Sequence, residues 1–196
     1  MTQIKMEDVK KLREMCGAGF MDCKKALDEA NGNYNEAVKL LKKRGQEIMA
    51  KKAGREATEG IIDCYVHANK KIGSMVEILC ETDFVARNSD FQAMAHDIAI
   101  QVAASNPICV SPNDVPAEKL AELKKEWQEE INKMGKPKEI ADKIMEGKIK
   151  KYCEENALTT QALVKDPEKT VQELLTETTA KLGEKLVIKR FERFEI

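Results

Sequence analysis

Between residues 60 and 105 the hydrophobic period changes, and this restricts the fold more than any other feature of the chain. Ile61-Ile62-Asp63-Cys64-Tyr65-Val66-His67 is rich in strand formers, Ala68-Asn69-Lys70-Lys71 reads as a turn, and Ile72-Gly73-Ser74-Met75-Val76-Glu77-Ile78-Leu79 returns as a second strand. From Ser89, Phe91, Met94, Ala95, Ile98 and Val102 recur at helical spacing until Asn106-Pro107 stops the run. A hairpin followed directly by a helix with one broad apolar stripe buries both only if the helix covers the hairpin. The fold class is therefore α+β.

The seam between strand and helix, Cys80-Glu81-Thr82-Asp83-Phe84-Val85-Ala86-Arg87-Asn88, holds the acids Glu81 and Asp83, a hydroxyl and a large ring on a rigid base. It has no neighbouring histidine or glycine-rich loop, so it suits docking into a partner better than breaking a bond.

Residues 5–50 read as three short helices. Met6, Val9 and Leu12 begin the first, and Gly17-Ala18-Gly19 ends it. The second carries Cys23, Ala26, Leu27 and Ala30 on one face, and Asn31-Gly32-Asn33 turns the chain. The third carries Ala37, Val38, Leu40 and Leu41 and is expected to stop near Gly45, with residues 46–58 a continued or frayed helix passing into a linker. Phe20 and Met21 fit either the core or a contact patch.

Leu120, Leu123, Trp127, Ile131 and Met134 form one seam, and Ile140, Ile144, Met145, Ile149 and Tyr152 form a returning one. Gly135-Lys136-Pro137 between them is short enough to demand antiparallel helices. With outer faces almost wholly Lys and Glu, this hairpin is expected to protrude. Asp166-Pro167 is expected to start a further helix, over 167–182, ending at Gly183. The alternating tail, with Phe191, Arg193 and Glu195 on one face, is expected to add a third strand to the 60–80 hairpin.

The 33 basic and 34 acidic residues leave a formal charge of −1, which disfavours general attraction to nucleic acid. No apolar run approaches the ~20 residues that span a bilayer, and Met1-Thr2-Gln3-Ile4-Lys5-Met6 lacks a signal-peptide core, so a cytoplasmic protein is expected. The six cysteines show no C-x-x-C pair and read as buried or half-buried free thiols. His67 and His96 lack ligand partners at metal-binding spacing, so no metal or cofactor is expected.

Leu12-Arg13 followed by Gly17-Ala18-Gly19-Phe20-Met21-Asp22-Cys23-Lys24-Lys25-Ala26-Leu27 is similar to the N-terminal signature of the bacterial elongation factor Ts family, with Phe20-Met21 where Met-Met is usual. Thr82-Asp83-Phe84-Val85 resembles the second signature unaltered. Ala103-Ala104-Ser105-Asn106-Pro107, Gly135-Lys136-Pro137-Lys138-Glu139-Ile140 and Arg190-Phe191-Glu192-Arg193-Phe194-Glu195 also match. The chain is similar to the short form, with one copy of the core. It departs at Thr160-Gln161-Ala162-Leu163-Val164, where Gln-Pro-Phe-Val is common.

The resemblance implies a guanine-nucleotide exchange factor for the GTPase elongation factor Tu, acting without a covalent step. It implies a ubiquitin-associated (UBA)-like domain over residues 1–52 and an α+β dimerisation and core domain over 53–196. The latter holds a three-stranded antiparallel sheet packed by helices and an antiparallel coiled-coil hairpin over 117–155. Thr82, Asp83, Phe84 and Val85 are implied to dislocate the GTPase's magnesium, and Arg13, Phe20, Met21 and Lys24 to bind the same GTPase. Short members can act as dimers, and either the terminal strand or the Lys/Glu seams of the hairpin could pair in a homodimer; no membrane or direct nucleic-acid contact is implied. Competing readings are a three-helix module for ubiquitin-like or nascent chains, a thiol enzyme using Cys80 or Cys64 with His67 as base, and an RNA-binding factor.

Overall fold

The computed structural model describes residues 4–135 and 137–196. Met1, Thr2 and Gln3, the first half of the N-terminal segment read above, lie outside the described residues, as does Lys136 at the middle of the expected turn. The described residues form helices α1 (Met6–Cys16), α2 (Phe20–Glu29), α3 (Tyr34–Lys52), α4 (Asp83–Ala86), α5 (Ser89–Ser105), α6 (Ala117–Lys133), α7 (Lys138–Asn156) and α8 (Val171–Leu182). Strands β1 (Glu59–Val66), β2 (Ile72–Cys80) and β3 (Val187–Glu195) form one antiparallel sheet in the order β1-β2-β3. The fold is α+β, and the C-terminal strand joins the hairpin as expected.

By internal contacts the chain divides into two compact units. One holds the chain up to Asp63 with Glu77–His96 and Gln172–Ile188; the other holds Cys64–Val76, Asp97–Val171 and Lys189–Ile196.

In the first unit, α1 to α3 close around Val9, Leu12, Cys23, Ala26, Leu27 and Ala37, none more than 1% exposed. α1 stops at Gly17, whose N–H donates to the Arg13 carbonyl at 2.8 Å. Asn33 Oδ1 caps α3 by accepting from the Glu36 N–H at 3.2 Å. The Tyr34 hydroxyl donates to Asp8 Oδ1 at 2.9 Å, and this bond is the first cause holding the Asp8 carboxyl below its ordinary range.

α3 does not stop at Gly45. It runs unbroken to Lys52, with Gly45 buried inside it. A Cβ at Gly45 would stand 3.1 Å from Thr176 Cγ2 on α8, so the glycine serves close helix–helix approach rather than termination. Lys42 with Glu173 at 3.0 Å, and Met49 Sδ against Thr176 Oγ1 at 3.4 Å, continue that contact on either side.

α8 also differs from expectation: it begins at Val171 rather than Pro167. The Leu163 N–H donates to the Lys169 carbonyl at 2.8 Å and the Val171 N–H to the Gln161 carbonyl at 3.1 Å. Backbone groups that a helix from Pro167 would use are committed to this small loop, where Ala162 pairs with Thr170. Buried Gln101 holds the loop from α5, its Oε1 accepting from the Val164 N–H at 2.8 Å.

β2 alternates cleanly, with Ser74, Val76, Ile78 and Cys80 buried. The Ser74 hydroxyl donates to the Ala99 carbonyl at 2.6 Å, and Arg193 Nε to the Ala103 carbonyl at 2.9 Å, so β2 and β3 are both fastened to α5. Phe91, Met94, Ile98 and Val102 form the buried stripe of α5.

In the second unit, α6 and α7 lie antiparallel: Trp127 meets Tyr152 edge-on at 6.0 Å between centroids, and Lys148 reaches both the Trp127 ring and Glu130. Ile131 is buried at 2% exposure, whereas Met134 and Ile140, flanking the turn, are exposed.

Candidate partner-docking site

β2 ends at Cys80, and the chain breaks into a single helical turn, α4, that sequence reading left as an irregular corner. Thr82 is its N-cap, in extended conformation, with Oγ1 accepting from the Val85 N–H at 3.5 Å. Ala86 is buried and anchors the turn. Asn88 Oδ1 accepts from the Asp90 N–H at 2.8 Å and so caps α5. Asp90 pairs with Lys181 of α8 at 2.8 Å, which fixes the start of α5 beneath the turn.

On this base Phe84 is 81% exposed. A phenylalanine ring left in water forgoes about 1.5–3 kcal/mol of burial. Asp83 pairs with Arg87 at 3.0 Å, with side chains 48% and 80% exposed. An exposed i,i+4 pair of this kind contributes only ~0.3–0.5 kcal/mol, so a partner's donors can replace Arg87 at small cost. Val85 is half-buried.

Two glutamates hold the turn from behind. Glu184, between α8 and β3, accepts from the Glu81 N–H at 3.1 Å, the Thr82 N–H at 3.0 Å and the Thr82 hydroxyl at 2.7 Å. Glu81 reciprocates, accepting from the Lys185 N–H at 2.6 Å and from Arg55 at 3.0 Å, with Lys52 Nζ at 3.8 Å. Lys185 Nζ donates to the carbonyls of Ala53 and Arg55, both at 2.7 Å, and Lys52 Nζ to the Gly183 carbonyl. Sequence reading included Glu81 in the seam but missed Glu184 and Lys185. A glutamate between a glycine stop and a strand reads as a solvated loop charge, and no periodicity marks it.

The Lys185 N–H first, then Arg55, holds the Glu81 carboxyl below its ordinary value of 4.5. A depressed carboxyl contributes stability that is full above its unfolded value and is lost as pH falls through the lower folded value. Unfolding free energy is thus expected to fall as the pH drops below the ordinary carboxyl value of 4.5, and Glu81→Gln to flatten that fall. Denaturant titrations of both proteins at several pH values read the difference.

The four N-terminal candidates lie on one side of the three-helix cluster's first loop or the other. Arg13, Met21 and Lys24 are exposed, while Phe20 is half-buried against the helical core. The open question about the Phe20-Met21 pair therefore resolves residue by residue: Phe20 packs and Met21, 60% exposed, does not. Met15, 58% exposed at the end of α1, extends the apolar surface beside the loop and was also missed. The structure does not gather these four residues with Thr82-Asp83-Phe84-Val85 into one cluster. Both sets belong to the same compact unit, joined through Lys52 and Arg55 to Glu81.

The reading of Cys80 as a nucleophile finds no support in this geometry. Cys80 is buried, and burial first, then the Glu184 charge, pushes its thiol up to about 11. His67 hydrogen-bonds the Tyr65 hydroxyl at 3.0 Å, and His96 pairs with Asp63 at 3.3 Å. Cys64 is exposed, contrary to expectation, while Cys23, Cys80, Cys109 and Cys153 are buried. Among the described residues, no group of three or more His, Cys, Asp or Glu side chains could hold a metal ion, and no helix is long and apolar enough to cross a membrane. In the departing loop Leu163 turns inward, leaving Val164 exposed.

Comparison with known proteins agrees with the motifs. Elongation factor Ts of Rubrobacter xylanophilus is 50% identical over 195 residues, covering 100% of this chain and 99% of that protein. The protein of the same name from Moorella thermoacetica is 48% identical over 189 residues, 96% and 93% of the two chains. That of Geobacter sulfurreducens is 50% identical over 186 residues, 95% and 86% of the two. The α+β body with its exposed aromatic turn is thus that of a translation elongation factor. A family model described as Elongation factor TS matches residues 5–196, and the chain belongs to that family.

Proposed function

We propose that the chain is a guanine-nucleotide exchange factor for elongation factor Tu, and that it acts by non-covalent displacement with no enzymatic bond chemistry and no cofactor. The observation that carries this is Phe84: a large ring 81% exposed on a turn held from behind by α5 and Glu184. Phe84 enters the GTPase as an apolar wedge and shifts a helix near the magnesium. Asp83 leaves Arg87 to bond the displaced segment. Thr82 and Val85 keep the turn's shape. Magnesium bridges protein and phosphates, so moving its ligands weakens GDP. Arg13, Phe20, Met21 and Lys24 hold the same GTPase through the first unit, Phe20 chiefly by supporting the loop. Nucleotide and exchange factor then weaken each other reciprocally, by a coupling typically of about 1–3 kcal/mol.

On this reading residues 1–52 are a UBA-like domain and residues 53–196 a core and dimerisation domain, with 117–155 an antiparallel coiled coil. The ladder of Trp127, Ile131, Lys148 and Tyr152 supports the last point. The protein works in the cytoplasm without membrane or nucleic-acid contact. The test is release of labelled GDP from elongation factor Tu in excess unlabelled nucleotide: a rate independent of added chain overturns the reading.

A homodimer through the C-terminal strand belongs to the same proposal. β3 is an edge strand, and Val66, Met75 and Phe194 are 55%, 49% and 67% exposed. Light scattering is expected to give twice the 22.1 kDa chain mass, and a single-chain mass at micromolar concentration removes this part.

A further inference from the structure

We infer that Glu184 is a positioning residue of the docking turn, its carboxylate fixing the direction in which Phe84 is presented. The inference rests on the exchange reading above and assigns part of that activity to a residue 100 positions away from the ring.

With Phe84 81% exposed, little packing aims it; its direction comes from the backbone of α4. α4 has four residues, too few to hold a helical shape by its own hydrogen bonds. The N–H groups of Glu81 and Thr82 follow the last residue of β2 and precede the first of α4. Such groups need an acceptor. Glu184 supplies it, one oxygen taking both N–H groups at 3.1 and 3.0 Å and the other taking the Thr82 hydroxyl at 2.7 Å.

The hydroxyl bond has a second effect. By committing the Thr82 proton to Glu184, it leaves an Oγ1 lone pair to accept from the Val85 N–H. The order therefore runs from Glu184 through Thr82 to the backbone on both sides of Phe84. In return, Glu81 takes the Lys185 N–H at 2.6 Å. Each segment lends a carboxylate to the other's backbone, so the turn is clasped to the α8–β3 junction and is not carried by β2 alone. A purely structural glutamate would also clasp, but its loss would loosen β2 and partner affinity together.

The experiment uses the full chain with Glu184→Gln, which keeps the side-chain size and one carbonyl acceptor, and with Glu184→Ala. Hydrogen exchange of the free proteins reads the turn directly. The Glu81, Thr82 and Val85 amides are expected to exchange at least about tenfold faster, while Val76 and Ile78 stay protected. With elongation factor Tu and labelled GDP, the release rate at saturating chain is expected to fall about tenfold, with the half-saturating concentration changing less than about threefold. A full saturating rate from a turn whose amides exchange freely overturns the inference and leaves the exchange reading standing. Loss of Val76 and Ile78 protection together with the turn, in Glu184→Gln, overturns it in favour of a structural role. If the unaltered chain releases no GDP, it is the exchange reading that fails, and the amide measurements still decide whether Glu184 holds the turn.

Discussion

Phe84→Ala should leave the chain folded and remove most of its effect on GDP release from elongation factor Tu. The ring is 81% exposed, and Ala86, not Phe84, anchors the turn. Its loss therefore costs the free protein little, and the melting temperature should stay within about 2 °C. On the proposed exchange reading the same ring is an aromatic anchor in the complex, and truncating one typically costs ~2 kcal/mol or more, about thirtyfold. Stimulated release should fall by at least that factor at sub-saturating chain. Stimulation equal to the unaltered protein, at equal thermal stability, would show that the wedge lies elsewhere. Arg87→Ala is a useful companion, because the pair it breaks with Asp83 is exposed and its loss should be nearly silent.

The second large effect is on stability. A Cβ at Gly60 would stand 2.1 Å from the Ile78 carbonyl oxygen and 2.8 Å from the Leu79 Cα, both backbone atoms of central strand β2. No side-chain rotation relieves a clash with backbone; β1 must move away from β2. Gly60→Ala is expected to cost roughly 3 kcal/mol or more, which for a chain of this size lowers the melting temperature by about 6–12 °C. Gly147→Ala is the control. Gly147 lies within α7 with open space around its Cβ position, so alanine there should stabilise by up to about 1 kcal/mol. Equal melting temperatures for Gly60→Ala and the unaltered chain would remove the close strand approach.

Much of this architecture was legible in the sequence because it rests on periodicity. Val9 and Leu12, Cys23 with Ala26 and Leu27, the alternation of β2, and the stripe from Phe91 to Val102 all bury the faces their spacing requires. What spacing could not reveal depends on groups far apart in the chain. Gly45 looks like a stop until α8 is present to be approached. Pro167 looks like a helix start until Gln161 and Lys169 claim the local backbone. The buried face of α8 holds Thr176, Thr178 and Thr179, which a hydrophobic pattern does not select. At the site, Thr82-Asp83-Phe84-Val85 was found by its motif and its place between strand and helix. Glu184 was not, because its role exists only once the α8–β3 junction meets the end of β2.

The strand order carries a consequence for how the chain is made. α1 to α3 are consecutive and close a core of their own, so that cluster has its partners as soon as Lys52 is synthesised. Central strand β2 has only β1 beside it until β3 arrives roughly a hundred residues later. During that interval one edge of β2 has no strand to pair with, and the carboxylate that organises the Phe84 turn has not been polymerised. At ~5–20 residues per second the delay is about 5–20 seconds. A member of the Elongation factor Ts family thus spends that time with the Phe84 turn unclasped, and gains the clasp only once Glu184 has been added.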